Sequence, residues 1–298
     1  MSGLVVDAHV HVFRPASVRP RTVDDLVPAE RDAPVEDLLG VMGAAGVDRA
    51  VLVALEADDG YLAEVLRAHP GRFAAIAVAD AAVQGRSAGA DPVAELERRR
   101  AALAFAGLRT QWLGDPALPL EESPMLPALR WLAERGLVLW SYLTPDQLPL
   151  LRQLPEALPD LVVVLNHLGF FPHDMRVDGH GRPAFDDPLP PEHVDPVAAL
   201  ARHPSVHLMI SGHYALSHGS PPYPDLEPVV HRLAAAYGAE RMLWGSDYPW
   251  IRDVPGYATM VSLAERALPG ASAAELAAIR GGTALRLLDG LAPSGSAS

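Results

Sequence analysis

Eight short runs of consecutive apolar, often β-branched residues recur along this 298-residue chain, and a segment of helical character follows each. The runs are Leu4–Ala8, Ala50–Leu55, Phe73–Val78, Gly107–Trp112, Leu137–Leu143, Leu161–Asn166, Val206–Ile210 and Met242–Gly245. Within Val51-Leu52-Val53-Ala54-Leu55 and Leu161-Val162-Val163-Val164-Leu165 there is no polar alternation. A strand may be apolar on successive residues only where both of its faces are covered, as in a parallel sheet flanked by helices. Helix-start signals stand between the runs: Asp91-Pro92, Ser123-Pro124 and the capping box Ser272-Ala273-Ala274-Glu275. The pattern predicts an α/β fold, a (β/α)8 TIM-type barrel in a single domain over residues 1–291. A doubly wound open sheet is the rival, but no glycine-rich phosphate turn follows the first strand. The small, polar residues 292–298 are expected to be a disordered tail.

Three connections are long: residues 13–34, 170–195 and 214–225. Each follows the C-terminal end of an expected strand, the face on which barrels carry their sites. Lengths of this kind in a compact fold are those of lids and binding segments.

Composition removes several chemistries. All 24 cationic residues are arginine, and the chain has neither lysine nor cysteine. A Walker lysine, a Schiff-base lysine, a carbamylated lysine bridging two metals, a thiolate nucleophile and cysteine-held zinc or iron–sulfur clusters are therefore excluded. The net charge of −13 opposes a nucleic-acid partner, and no apolar run approaches the roughly 20 residues of a membrane helix. The N-terminus runs into the first strand without a basic leader, so a cytoplasmic enzyme acting on a small molecule is expected. A homodimer is compatible with a barrel of this size.

Three motifs carry chemistry. In Val5-Val6-Asp7-Ala8-His9-Val10-His11, residues two apart on a strand share a face, so His9 and His11 project together. Two imidazoles so placed can chelate one divalent ion; the alternative is a pair of solvated or core histidines. His167 ends the apolar run Val162-Val163-Val164-Leu165-Asn166-His167-Leu168-Gly169, where an imidazole needs a ligand or a backbone carbonyl partner. Asp247, in Trp244-Gly245-Ser246-Asp247-Tyr248-Pro249-Trp250, sits at the mouth end of the eighth strand. A carboxylate there can bind a metal, take a proton from water, or cap a helix.

In this order the motifs resemble the amidohydrolase superfamily, specifically its amidohydrolase-2 branch with lactonase-like and decarboxylase-like members. The resemblance continues through Ile210-Ser211-Gly212, Pro224-Asp225-Leu226 and Thr283-Ala284-Leu285-Arg286-Leu287, so it spans nearly the whole chain. It implies a distorted barrel with long loops at its C-terminal face, and His9, His11, His167 and Asp247 as metal and catalytic positions. Two departures stand out. His213 lies past Ser211-Gly212, displaced from the further metal-binding histidine of many amidohydrolases, and Met209 replaces a lysine frequent in the branch.

The implied cofactor is one divalent ion, Zn2+ or alternatively Mn2+, although some lactonase-like members work without metal. With the ion bound, the expected chemistry is water activation and carbonyl polarisation, Asp247 shuttling the proton. Candidate substrate contacts are Arg109, Gln111, Tyr142, His213 and Trp250, with Arg14, Arg19 and Arg21 on the first long loop. Arg109 suits a substrate carboxylate through a planar bidentate pair, unless it is engaged by Glu56 or Asp80. His173, His180, His193 and His218 are read as solvent-facing. The expected function is hydrolysis of a lactone or other cyclic ester or amide. The alternatives are a metal-dependent decarboxylase of an aromatic or enol acid and a catalytically silent barrel acting as a binding subunit.

Overall fold

The structure, a computed structural model, describes residues 3–288 and 291. The tail expected at 292–298 lies outside the described residues. Eight parallel strands follow one another around a barrel: β1 (Val6–Val10), β2 (Arg49–Val53), β3 (Phe73–Val78), β4 (Gly107–Thr110), β5 (Val138–Ser141), β6 (Val163–Leu165), β9 (Val206–Ile210) and β10 (Met242–Trp244). The two remaining strands, β7 (Arg176–Val177) and β8 (Pro183–Ala184), form a small antiparallel hairpin within the loop after β6. No helix among the described residues is long and apolar enough to cross a membrane.

All eight apolar runs become strands, and those at 73–78 and 206–210 do so with unchanged bounds. Two of the three helix signals hold in detail. Asp91 accepts hydrogen bonds from the backbone N–H groups of Val93 and Ala94 at 3.0 and 3.1 Å, and Ser272 and Glu275 close a reciprocal capping box. Each such cap is worth about 1 kcal/mol. Ser123 differs: the helix begins at Leu126, and the Ser123 hydroxyl accepts from Met125 N–H while donating to the Leu113 carbonyl. It ties a loop instead of starting the helix.

Two apolar layers make the core. Inward-facing residues of the strands, among them Val51, Ile76, Val138, Trp140, Val164 and Leu243, fill the barrel; their outward neighbours pack beneath the helices. Ala284, Leu288 and Leu291 join the inner layer and close its floor. Gly281 makes this possible, because a Cβ there would come within 2.1 Å of the Leu4 carbonyl oxygen.

The distortion lies at two places around β1. Asp7 pairs with Ala50 and Val10 with Leu52, so Ala8 and His9 together oppose a single residue of β2. This β-bulge changes the parity of the strand. Val6 and Ala8 pack inside the barrel below it, whereas Val10 and Val12 above it belong to the outer layer. The seam between β10 and β1 is closed by a few specific bonds: Asp247 N–H to the His9 carbonyl at 2.9 Å, His11 N–H to the Tyr248 carbonyl at 2.7 Å, and Ser246 N–H to Asp7 Oδ1 at 2.8 Å.

Candidate active site

The bulge turns His9 and His11 toward the barrel axis, where they meet Asp247 from beyond β10. His9 Nε2 and His11 Nε2 lie 3.3 Å apart, and Asp247 Oδ1 lies 3.7 and 3.6 Å from them. All three residues are buried. A tetrahedral zinc ion with bonds of about 2.0–2.2 Å separates its ligand atoms by about 3.3–3.5 Å. Two imidazole nitrogens and one carboxylate oxygen at these spacings fit a small divalent cation. His167 stands beside this trio, its ring centroid 4.9 Å from that of His9, and is not one of the three convergent donors.

Side-chain and backbone partners fix each ring. His11 Nδ1 donates to the Val53 carbonyl at 2.7 Å, and His167 Nδ1 pairs with the Ser211 hydroxyl at 2.8 Å. Trp140 Nε1–H donates to His9 Nδ1 at 3.1 Å. Two glycines make the room: a Cβ on Gly245 would come within 2.8 Å of His9 Cβ, and one on Gly212 within 2.9 Å of His167 Nδ1. Met209 lies under the trio, its sulfur 3.0 Å from that same Gly245 position.

Two of the four residues have left-handed backbone conformations: φ is 48° at His167 and 64° at Asp247. Such conformations cost free energy in non-glycine residues and persist where surrounding bonds over-determine them. At Asp247 those bonds are its own N–H to His9 and its Oδ2, which accepts from the Tyr214 hydroxyl at 2.7 Å. Asp7 braces the seam from below. It is fully buried and accepts from Ser246 N–H and from the Tyr257 hydroxyl at 2.9 Å.

Burial sets the charge states. It drives the His9 pKa well below the ordinary imidazole value and that of His167 down to about 4, so both rings are neutral near pH 7. Burial alone would raise the Asp247 pKa, but His167, His11 and His9 outweigh it and hold the carboxyl well below the usual carboxylate range. Tyr214 is raised well above the usual phenol range by burial and by Asp247, so it stays a hydrogen-bond donor.

A cleft of about 330 Å3 opens over these groups, lined by His11, His167 and Asp247 below and by Arg109, Gln111, Tyr142 and Trp250 around them. Arg109 is the cleft's distinctive cation. Its guanidinium lies 4.2 Å from the centroid of the Tyr142 ring, its buried Nε has no hydrogen-bond partner, and it forms no ion pair among the described residues. The expected competitors are engaged elsewhere: Glu56 accepts from the N–H and hydroxyl of Thr22, and Asp80 lies 3.9 Å from Arg99. Burial lowers the Arg109 pKa and raises that of Tyr142 to about 12.

Several expectations are corrected. His213 does not line the cleft; it is buried, with its ring 5.9 Å from that of Tyr223 and its Nε2 without a partner. The first-loop arginines hold the protein together: Arg14 pairs with Glu36, Arg19 with Asp58 and Glu64, and Arg21 donates to the carbonyls of Arg14, Thr22, Val27, Pro28 and Arg31. His173 and His193 are partly buried, against Phe170 and Phe185 in one case and Phe171 in the other, while His180 and His218 are exposed. The sequence reading missed Trp140, Ser211, Tyr214 and the bracing role of Asp7. Ser211 and Asp7 stand inside motifs that were noticed; Trp140 and Tyr214 carry no local signal.

The buried histidines also govern acid stability. Burial lowers the His213 and His167 pKa values to about 4 from an unfolded value of 6.5. Between those pH values the unfolded chain binds more protons, so stability must fall as pH drops through that window. Asp7 opposes this in part, since burial raises it from 3.8 to about 6 and the folded state keeps its proton longer. The urea midpoint should therefore decline from pH 7 to pH 4.5, and His213→Asn should make the decline shallower. An unchanged slope in that variant would refute the assignment.

Eight parallel strands around a histidine–carboxylate mouth define a (β/α)8 barrel with its site at the strand C-termini, and the sequence profile of the amidohydrolase family matches residues 6–290. The chain belongs to the amidohydrolase family, in its amidohydrolase-2 branch, and is a hydrolase. It is 30% identical over 262 residues to an L-fucono-1,5-lactonase from Burkholderia ambifaria, a match covering 82% of this chain and 80% of that one. It is 25% identical over 263 residues to a 4-sulfomuconolactone hydrolase from Rhizobium radiobacter, covering 82% and 75%. Its fold matches the crystal structure of a 2-pyrone-4,6-dicarboxylic acid hydrolase (so named provisionally) from Pseudomonas putida, with TM-score 0.73 and 24% identity over 97% of this chain and 99% of that one.

Proposed function

We propose that the protein opens the ring of a small lactone bearing a carboxylate, with Asp247 moving the proton. The observation that carries this reading is the placement of Asp247: buried at the base of the cleft and held through Oδ2 by Tyr214, with Oδ1 3.7 and 3.6 Å from His9 and His11. Water adds to the lactone carbonyl carbon while its proton passes to Asp247. The ring C–O bond then breaks, and the same proton goes to the departing ring oxygen as it becomes a hydroxyl. One lactone and one water give one hydroxy acid, which ionises and releases a proton to solvent.

Arg109 pairs with the substrate's carboxylate in this reading, since it has a desolvated guanidinium and forms no ion pair among the described residues. Tyr142 stacks on Arg109, while Gln111 and Trp250 border the cleft. A divalent cation held by His9, His11 and Asp247, with His167 beside it, would polarise the carbonyl and acidify water. The lactone hydrolysis named for the Burkholderia and Rhizobium relatives supports the reaction class.

The test is a panel of five- and six-membered lactones, with and without carboxylates, followed by proton release and by carbon dioxide detection. Acceleration of at least about 10³-fold over spontaneous opening is the expected result. Carbon dioxide release would assign decarboxylation instead, and no turnover of any member would leave the barrel a binding subunit.

A further inference from the structure

The three histidines of the site differ in the polarity of their outer partners. A neutral histidine that ligates through Nε2 must carry its proton on Nδ1, and such rings donate that proton to a carbonyl, carboxylate or water. His11 does so, to the Val53 carbonyl. His167 has a serine hydroxyl, which can accept or donate. His9 alone faces an indole N–H, which can only donate. Its Nδ1 is therefore the acceptor, and its single proton belongs on Nε2, the atom aimed at His11 and Asp247.

The geometry points to Trp140 as a positioning residue that keeps His9 in its Nε2–H form and thereby holds down the affinity of the His9–His11–Asp247 cluster for a divalent cation. This inference rests on the reading of that cluster as a cation site. Without an ion, the hydrogen bonds form one consistent chain: Trp140 Nε1–H to His9 Nδ1, His9 Nε2–H to His11 Nε2, and His11 Nδ1–H to the Val53 carbonyl. Ligation by His9 Nε2 moves its proton to Nδ1 and sets two N–H groups head to head across 3.1 Å. Trp140 has no room to retreat. It is fully buried in β5, in register with Arg109 of β4 and Val164 of β6, and packs within the inner layer of the barrel.

Replacing the indole by a ring without N–H removes the conflict and leaves the other ligands untouched. Titration of Zn2+ against a chromophoric chelator should show Trp140→Phe binding about 10- to 100-fold more tightly than wild type, the range that outer partners of ligating histidines command. Adding His9→Ala to that variant should abolish the gain. A folded Trp140→Phe protein whose affinity is unchanged or weaker, or a gain that survives without His9, would overturn the proposal. A second measurement needs no variant: nitrogen-15 NMR of metal-free, histidine-labelled wild type should show His9 protonated on Nε2 with Nδ1 bare. A proton on Nδ1 sinks the idea even if the variant misfolds. None of these readouts involves lactone turnover, so a failure of the assigned reaction would be seen separately.

Discussion

Asp247→Asn should lower kcat by about three to four orders of magnitude while leaving the fold intact, the scale expected for loss of a positioned general base. The substitution is well controlled because asparagine is among the few residues that tolerate the left-handed backbone at this position, where φ is 64°. Its amide oxygen can still accept from Tyr214, and its backbone N–H can still bond to His9. The proton-accepting capacity disappears, and with it the one anionic donor of the His9–His11–Asp247 cluster. Circular dichroism and Tm should match wild type within a few degrees. A folded variant retaining more than about a tenth of the wild-type kcat would remove Asp247 from the proton path.

Arg109→Met should separate binding from stability in opposite directions. Loss of a charge-assisted pair should reduce kcat/KM for carboxylate-bearing lactones about 30- to 150-fold, equivalent to about 2–3 kcal/mol. Neutral lactones should change by no more than about threefold, since they make no such pair. Tm should hold or rise, because wild type keeps a desolvated cation beside Tyr142 that is paired with no carboxylate. Burying such a charge works against folding, and a methionine of similar reach removes that cost. Arg109→Lys should recover little, as a point charge reproduces neither the planar fork nor the stack on Tyr142. Equal losses on charged and neutral lactones would show that Arg109 serves the cleft's shape and not anion recognition.

The barrel was legible because its rule is written along the chain. Two-sided burial leaves a mark on each strand segment, and the caps at Asp91 and Ser272 are local devices. The convergence of His9 and His11 was legible for the same reason, from a two-residue strand period. What could not be read was whatever depends on a neighbour across the barrel. The bulge that re-aims β1 arises from its register with β2, and nothing in Asp7-Ala8-His9 announces it. Trp140 resembles any other core tryptophan until His9 is placed against it, and Tyr214 any loop tyrosine until Asp247 is. The loop arginines show the same limit: Arg21 lines the cleft, but five backbone carbonyls also claim its guanidinium, and no local pattern encodes carbonyls brought together by a loop.

The seam between β1 and β10 also fixes when the protein becomes an enzyme. Asp7 and Ser246, which clamp it, are 239 positions apart, and Asp7 and Tyr257 are 250 apart. During synthesis His9 and His11 emerge long before Asp247 and wait, unpaired with it, until β10 and the turn beyond it have been made. Contacts of such separation carry the largest loop-closure entropy and form late. A chain arrested short of β10 lacks Asp247, one of the three convergent donors, so it is expected to be inactive however much of the barrel wall it has built.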